Sequence, residues 1–121
     1  MPKNPSSDDY VIGVLGAGAM GRGIVQVAAA GGITVRLYDT NPRAVEEAVS
    51  FIGGMFGRAA EKGRMTKDEA AAATGRVHAI GSMQEFVGCD TVIEAIIENL
   101  DIENPDIILL KISISRIIEN T

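Results

Sequence analysis

The stretch "VIGVLGAGAMGRGIVQ", residues 11–26, decides the fold. A short apolar run, typical of a buried parallel strand, stops at Gly16, and residues that favour a helix follow from Met20. Between them the glycines have the spacing G-x-G-x-x-G. Such a loop has two interpretations: the backbone must approach a phosphate-bearing ligand, or the glycines only make a tight turn.

Each glycine has its own predicted role if the loop binds a dinucleotide. Gly16 makes the turn, Gly18 lets a pyrophosphate approach the backbone, and Gly21 lets the helix pack on the sheet. The unpaired N–H groups at the N-terminus of the helix then face the phosphates. The loop residues predicted to contact the cofactor are Gly16, Gly18, Ala19, Met20 and Gly21.

An acid at the end of the next predicted strand strengthens the first interpretation. The strand "TVRLYD" ends in Asp39, 18 residues after Gly21, where dinucleotide-binding folds place the carboxylate that accepts hydrogen bonds from ribose hydroxyls. Because this carboxylate would repel a 2′-phosphate, it favours NAD over NADP. Two alternatives stay open: Asp39 can be a turn residue before Pro42, and Arg43 is near enough to hold the 2′-phosphate of NADP.

The rest of the chain predicts strands that alternate with helices. This order indicates an α/β fold, a Rossmann-type parallel sheet with helices on both faces. The elements predicted after Asp39 are a long helix from Pro42 to about Lys62, a helix opened by the capping box at 66–69, a strand at 77–80, a short helix opened at 82–85, and a strand at about 91–95. Close helix packing would explain the three glycines inside the long helix.

The two ends of the chain are predicted differently from its middle. Residues 1–9 are expected to form a flexible tail, and residues 10–121 a single dinucleotide-binding domain. Within that domain, residues 104–121 are ambiguous, because the pattern alternates like a strand around Leu110, Ile112 and Ile114 while its ends favour helix.

Composition excludes several classes of function. A net charge of −5 argues against a nucleic-acid partner, and no apolar run is long enough to span a membrane. The only cysteine, Cys89, cannot form an internal disulfide, so a cytoplasmic location is expected. The only histidine, His78, is expected to be structural or exposed, and no metal site is predicted.

Four stretches together resemble one enzyme family. They are "VIGVLGAGAMGRGIVQVAA", "VRLYDTNPRAVE", "EKGRMTKDEA" and "CDTVIEAIIENLDI". They are similar to the N-terminal NAD-binding domain of L-3-hydroxyacyl-CoA dehydrogenases, including bacterial 3-hydroxybutyryl-CoA dehydrogenases. The resemblance covers about residues 10–102. β-Hydroxyacid dehydrogenases share the glycine loop but usually lack the helical insertion. The long second helix, the "EKGRMT" turn and "VIEAIIEN" together are therefore much more specific for this family than the glycines.

The resemblance implies two further site residues. Glu98, in the "EN" pair after the fourth main strand, would lie beside the nicotinamide ribose. Lys62, near the end of the long helix, would approach the phosphates of coenzyme A, although it can also be a solvated surface lysine. Glu103 stands where the family has a lysine that helps to hold the cofactor, which puts that contact in doubt.

The resemblance also implies what this chain would not do alone. It places the catalytic serine, histidine and glutamate, and a C-terminal helical domain that forms the dimer contacts, beyond the part that matches. The chain is therefore expected to bind NAD, to act on acyl-CoA only within a longer, homodimeric enzyme, and to contribute no catalytic residue itself. Two alternatives remain: a non-catalytic NAD-binding module, and a domain of a β-hydroxyacid dehydrogenase that acts on free acids.

Overall fold

The computed structural model describes residues 9–98 and 109–115 of the chain. Residues 1–8 of the predicted tail lie outside this part, as does Glu103. The described residues form one five-stranded sheet in the order β3-β2-β1-β4-β5. The strands are β1 (Val11–Leu15), β2 (Thr34–Tyr38), β3 (Val77–Ala79), β4 (Thr91–Glu98) and β5 (Leu109–Ser115).

Strand order and direction confirm the predicted α/β Rossmann-type fold. Strands β1 to β4 pair in parallel, and their order matches that of the dinucleotide-binding sheet. The ambiguous region contributes β5, which pairs with β4 in the antiparallel direction. Open parallel sheets commonly carry such an antiparallel strand at one edge. The alternation around Ile112 therefore indicated the strand correctly, but it carried no information on its direction.

Three α-helices connect the parallel strands: α1 (Ala19–Ala30), α2 (Pro42–Glu61) and α3 (Lys67–Gly75). Both predicted capping boxes are present, one joining Thr66 to Glu69 at the start of α3. The other joins Ser82 to Glu85 and opens a short 3-10 helix, Met83–Phe86. These boundaries follow local chemistry: Thr66 Oγ1 accepts from the N–H group of Glu69 at 3.0 Å, and Glu85 Oε2 accepts from the N–H group of Ser82 at 3.0 Å.

The three α-helices lie on one face of the sheet. On β1 and β2, Ile12, Val14, Val35 and Leu37 face the helices and form the main core with side chains from all three. The helical residues in this core are Val25, Ala29, Val45, Ala48, Ile52, Phe56, Ala70 and Ala73. Because β1, β2 and β3 follow one another in the same direction across the sheet, right-handed connections place their helices on the same side.

The second face is covered in the described part by the 3-10 helix rather than by an α-helix. Its buried Phe86 packs with Cys89 and Val92. The ring of Phe86 lies directly over Gly13, where a Cβ atom would come within 2.5 Å of the ring. A glycine in the middle of β1 therefore makes room for the residue that closes this face.

The glycines of α2 do not serve close helix packing, contrary to the prediction. A Cβ atom on Gly53 would lie 3.7 Å from Thr74 of α3, which is an ordinary van der Waals distance. A Cβ atom on Gly57 would meet nothing within 4 Å. Among the described residues, alanine would therefore fit at both positions, in ordinary contact with α3 at Gly53 and in open space at Gly57.

Candidate functional site

The turn between β1 and α1 depends on Gly16. Its backbone has φ +114°, and a Cβ atom there would clash with the carbonyl oxygen of Ala95 in β4. Its N–H group donates to the carbonyl oxygen of Tyr38 in β2 at 2.8 Å. Gly16 is thus held between the two strands that flank β1, where only a residue without a side chain fits.

Gly21 allows the first turn of α1 to lie against this loop. It is buried, and a Cβ atom on it would clash with the carbonyl oxygen of Gly16. The same atom would lie 3.7 Å from the side chain of Val14 in β1. The close approach predicted for Gly21 is therefore present, and its tightest contact is with the loop itself.

Gly18 differs from the other two glycines because the fold does not require it. It is exposed, its φ of −76° suits any residue, and a Cβ atom on it would meet no atom of residues 9–98 and 109–115 within 4 Å. The space above Gly18 is open at the point where the loop enters α1. A pyrophosphate could therefore approach the backbone here, and a side chain would occupy the same space.

The N-terminus of α1 offers free donors beside this space. In the part of the chain that the structure describes, no side chain caps it, and its first turn contains no acid. By contrast, Asn41 caps α2 and Thr66 caps α3 through their side chains. The first N–H groups of a helix have no acceptor within the helix, and the helix dipole favours an anion next to them. Ala19 and Met20 lie in this turn, so the polar donors they can offer a phosphate are backbone N–H groups.

The structure brings Asp39 to the glycine loop. One carboxylate oxygen accepts from the N–H group of Ala17 at 2.9 Å, and the other accepts from the N–H group of Asn41 at 2.9 Å. The second bond is the local turn that the alternative interpretation expected. The first joins β2 to the loop across 22 residues of sequence. Asp39 is thus both a turn residue and a neighbour of the loop.

Arg22 is a site neighbour that the sequence motif did not reveal. Its Nε donates to the carbonyl oxygen of Ala17 at 3.4 Å, and its guanidinium lies 5.2 Å from the centroid of the Phe51 ring. Its position directly after Gly21 was visible in the sequence, but no spacing rule assigns a contact to it. Arg43 is exposed in the first turn of α2, close in sequence to Asp39.

Glu98 lies at the edge of the sheet where the loop lies, whereas Lys62 lies at the far end of α2. In the pairing of β4 with β1, Glu94 is opposite Leu15, so β4 continues past the end of β1 to Glu98 at the edge where the loop lies. Lys62 is exposed and follows the last residue of α2, opposite the end that Asn41 caps. The 20 residues of α2 span about 30 Å, so the structure does not bring Lys62 to the loop.

His78 and Cys89 are the remaining titratable residues that the sequence singled out. His78 is exposed on β3, as expected. Cys89 is buried, and this burial raises the pKa of its thiol, whereas nearby Arg36 lowers it and Asp90 raises it further. Among residues 9–98 and 109–115, no group of metal-binding side chains comes together, and no helix is long and apolar enough to cross a membrane.

A Rossmann-type sheet, an uncapped helix behind a glycine turn and a carboxylate at the end of β2 together define a dinucleotide-binding protein. Residues 11–107 match the family model described as "3-hydroxyacyl-CoA dehydrogenase, NAD binding domain". The chain belongs to this family, as the resemblance predicted. NAD is the cofactor of the matched domain, so the predicted cofactor is confirmed.

Individual relatives agree with this assignment. The chain is 41% identical over 92 residues to a probable 3-hydroxybutyryl-CoA dehydrogenase of Deinococcus radiodurans, across 76% of this chain and 33% of that protein. It is 43% identical over 87 residues to a similarly named protein of Bacillus subtilis, across 72% of this chain and 30% of that protein. The chain thus spans about a third of the length of these curated relatives.

Solved structures give the same result for the fold. The crystal structure of an (S)-3-hydroxybutyryl-CoA dehydrogenase from Ralstonia eutropha superimposes with a TM-score of 0.70 and 33% identity. The superposition covers 78% of this chain and 34% of that one. That of 3-hydroxybutyryl-CoA dehydrogenase from Escherichia coli K12 gives a TM-score of 0.68 and 29% identity, over 71% of this chain and 18% of that one.

Proposed function

We propose that this chain forms the NAD site of an enzyme that oxidises the 3-hydroxyl group of an acyl-CoA to a ketone and transfers the hydride to NAD. The observation that carries the proposal is the open space at Gly18, in front of the uncapped N-terminus of α1. Gly16 and Gly21 are glycines because the backbone leaves no room for a side chain. Gly18 has no such reason among the residues that the structure describes, and a bound pyrophosphate would supply one.

The residues of the chain would hold the cofactor at its central pyrophosphate and at its two riboses. The N–H groups of Ala19, Met20 and Gly21 lie in the first turn of α1 and would donate to the pyrophosphate. Asp39 would accept hydrogen bonds from the adenosine ribose, because a carboxylate has about four lone-pair sites and two are used in the structure. By family resemblance, Glu98 would lie beside the nicotinamide ribose. The nicotinamide itself supplies the hydride acceptor.

The coenzyme A moiety would be bound away from the glycine loop. By family resemblance, Lys62 would approach the phosphates of coenzyme A, and its exposure at the far end of α2 leaves its ammonium group accessible to them. The same resemblance supports an acyl-CoA substrate and a homodimer for longer family members, and the single cysteine supports a cytoplasmic location. A Lys62→Ala variant of a longer, active form should then raise the KM for acyl-CoA and leave that for NAD unchanged.

Calorimetric titration with NAD, together with thermal unfolding, tests the binding function. At about 100 times its dissociation constant, NAD should stabilise the chain by about 2.7 kcal/mol. In the same preparation, absorbance of NADH should not increase with 3-hydroxybutyryl-CoA, because no residue of the chain matches the family's serine, histidine or glutamate. No heat of binding and no thermal shift with NAD would refute the binding function, whereas robust turnover would reveal a base within these 121 residues.

A further inference from the structure

We infer that Asp39 is a positioning residue for the glycine loop, in addition to the ribose contact that the proposed function gives it. The inference rests on that function for its consequence in NAD binding, but its structural basis is present without a ligand. It predicts that Asp39 supports the pyrophosphate site through Ala17, even for a dinucleotide that has no ribose hydroxyls for Asp39 to bind.

The evidence lies at Ala17, the residue between the first two glycines of the motif. Ala17 is fully buried, and its N–H group donates to Asp39 Oδ2 at 2.9 Å. Its carbonyl oxygen accepts from Arg22 Nε at 3.4 Å. Both backbone polar groups of Ala17 are therefore bonded to side chains. Arg22 lies in α1 directly after the loop, whereas Asp39 follows β2.

The carboxylate is itself held in place. Its other oxygen accepts from the N–H group of Asn41, the residue that caps α2. The N–H group of Gly16 next to Ala17 donates to the carbonyl oxygen of Tyr38, the residue next to Asp39. Two successive bonds thus tie the loop to the end of β2, and the second depends on a side chain. Without Asp39, the buried N–H group of Ala17 would lose its acceptor, and the loop that shapes the anion site would lose an anchor.

Amide hydrogen exchange of the ligand-free chain, followed by NMR, tests the anchor directly. In Asp39→Ala, the N–H group of Ala17 should exchange roughly tenfold to a hundredfold faster relative to that of Gly16, because a hydrogen bond to a charged group is lost. In Asp39→Asn, the amide oxygen can still accept from Ala17, so most of the protection should remain. A ratio within about twofold of the wild type in Asp39→Ala would overturn the inference, since that is far below the loss expected.

Asp90 provides a matched control, because its Oδ2 accepts from the N–H group of Val11 at 2.8 Å, at the opposite end of β1. Asp90→Ala should speed the exchange of Val11 relative to that of Gly16 and leave Ala17 unchanged. Faster exchange of the Ala17 N–H group in Asp90→Ala would mean that any weakening of β1 loosens the loop. That result would also overturn a specific role for Asp39.

Binding of NAD and of an analogue without the two adenosine-ribose hydroxyls separates the two roles of Asp39. If Asp39 anchors the loop, Asp39→Ala should lower the affinity for the analogue by roughly tenfold or more. Asp39→Asn should bind the analogue nearly as well as the wild type does. Equal affinities of the wild type and Asp39→Ala for the analogue would restrict Asp39 to the ribose and overturn the inference. If the wild type binds neither, the cofactor function fails, and the exchange ratios still decide whether Asp39 positions the loop.

Discussion

The carbonyl oxygen of Gly16 lies so close to the Cα atom of Gly21 that a Cβ atom on Gly21 would overlap it. A G-x-G-x-x-G pattern alone is weak evidence for a dinucleotide site, because glycines also occur in ordinary turns. The structure separates the two explanations within one motif. Gly16 and Gly21 are required by the turn and by the approach of α1, whereas Gly18 is required by neither.

Gly18→Val should abolish NAD binding and leave the fold intact. The new side chain meets no protein atom near its Cβ, and the backbone angles at Gly18 suit valine, but the side chain fills the proposed place of the pyrophosphate. Circular dichroism and calorimetric titration with NAD measure the two effects. Gly23→Val is the matched control, because Gly23 is also exposed in α1 and open around its Cβ. Normal NAD binding by Gly18→Val would reduce the loop to a turn.

Gly21→Ala should destabilise the fold by about 3 kcal/mol, because the methyl group cannot be accommodated without moving the backbone of the loop. For a domain of this size, thermal unfolding should then fall by roughly 10 °C or more. Gly23→Ala provides the comparison and should unfold at or above the temperature of the wild type, since alanine favours a helix. If both variants unfolded alike, the clash at Gly21 would be relieved by a movement that the structure does not show.

NAD should bind at least about tenfold more tightly than NADP, because a 2′-phosphate would meet the carboxylate of Asp39. Asp39→Ala should lower the ratio of the NAD affinity to the NADP affinity, even though it also lowers the affinity for NAD. Parallel titrations with both cofactors give the ratio. Arg43→Ala tests the alternative: a selective loss of NADP affinity would show that Arg43 holds the 2′-phosphate, and equal affinities in the wild type would refute the role given to Asp39.

The parts of the fold and of the candidate site that could be predicted from sequence are those set by local chemistry. The capping box of Thr66 and Glu69 lies within four residues, and the glycine loop carries its own turn geometry. Asp39 was also found, because the length of a strand-helix-strand unit fixes its distance from Gly21. The loop and the acid of the site were therefore available before any coordinates.

The contacts that were missed join distant residues and have no spacing rule. The bond from Ala17 to Asp39 depends on how closely β2 lies against the loop. The ring of Phe86 comes from a separate connection to cover Gly13 in β1. Likewise, the alternation in residues 109–115 predicted a strand but not its direction, because both directions have a period of two. Tertiary packing decides such features, and local sequence does not.

Gly57→Ala should stabilise the chain by about 0.5–1 kcal/mol, because Gly57 lies inside α2, is exposed and has no neighbour around its Cβ. Urea unfolding measures the gain. Gly63→Ala is the control, since the backbone of Gly63 has φ +75° after the end of α2 and alanine is strained there. The first variant should be more stable than the wild type and the second less stable. A loss of stability in Gly57→Ala would contradict the open surroundings that the structure gives Gly57.

Cys89 should make the stability of the fold depend on alkaline pH. Burial raises the pKa of the thiol, Arg36 partly opposes this, and the charge of Asp90 adds to it. The folded state therefore keeps its proton at pH values where the unfolded state has lost it. The free energy of unfolding contributed by this thiol is complete below the unfolded pKa of about 8.5 and falls as the pH rises towards the folded pKa.

Urea unfolding of the wild type and of Cys89→Ala from pH 7 to pH 10, roughly the range around the thiol pKa, tests this dependence. The wild type should be the more stable at neutral pH, because alanine leaves a small cavity where the buried Cys89 packs with Phe86 and Val92. The difference should shrink at alkaline pH, since only the wild type has to bury a group that ionises when unfolded. A thiol reagent should label the native chain slowly at neutral pH for the same reason. A pH-independent difference, or rapid labelling of the native state, would show that Cys89 is more accessible to water than its packing indicates.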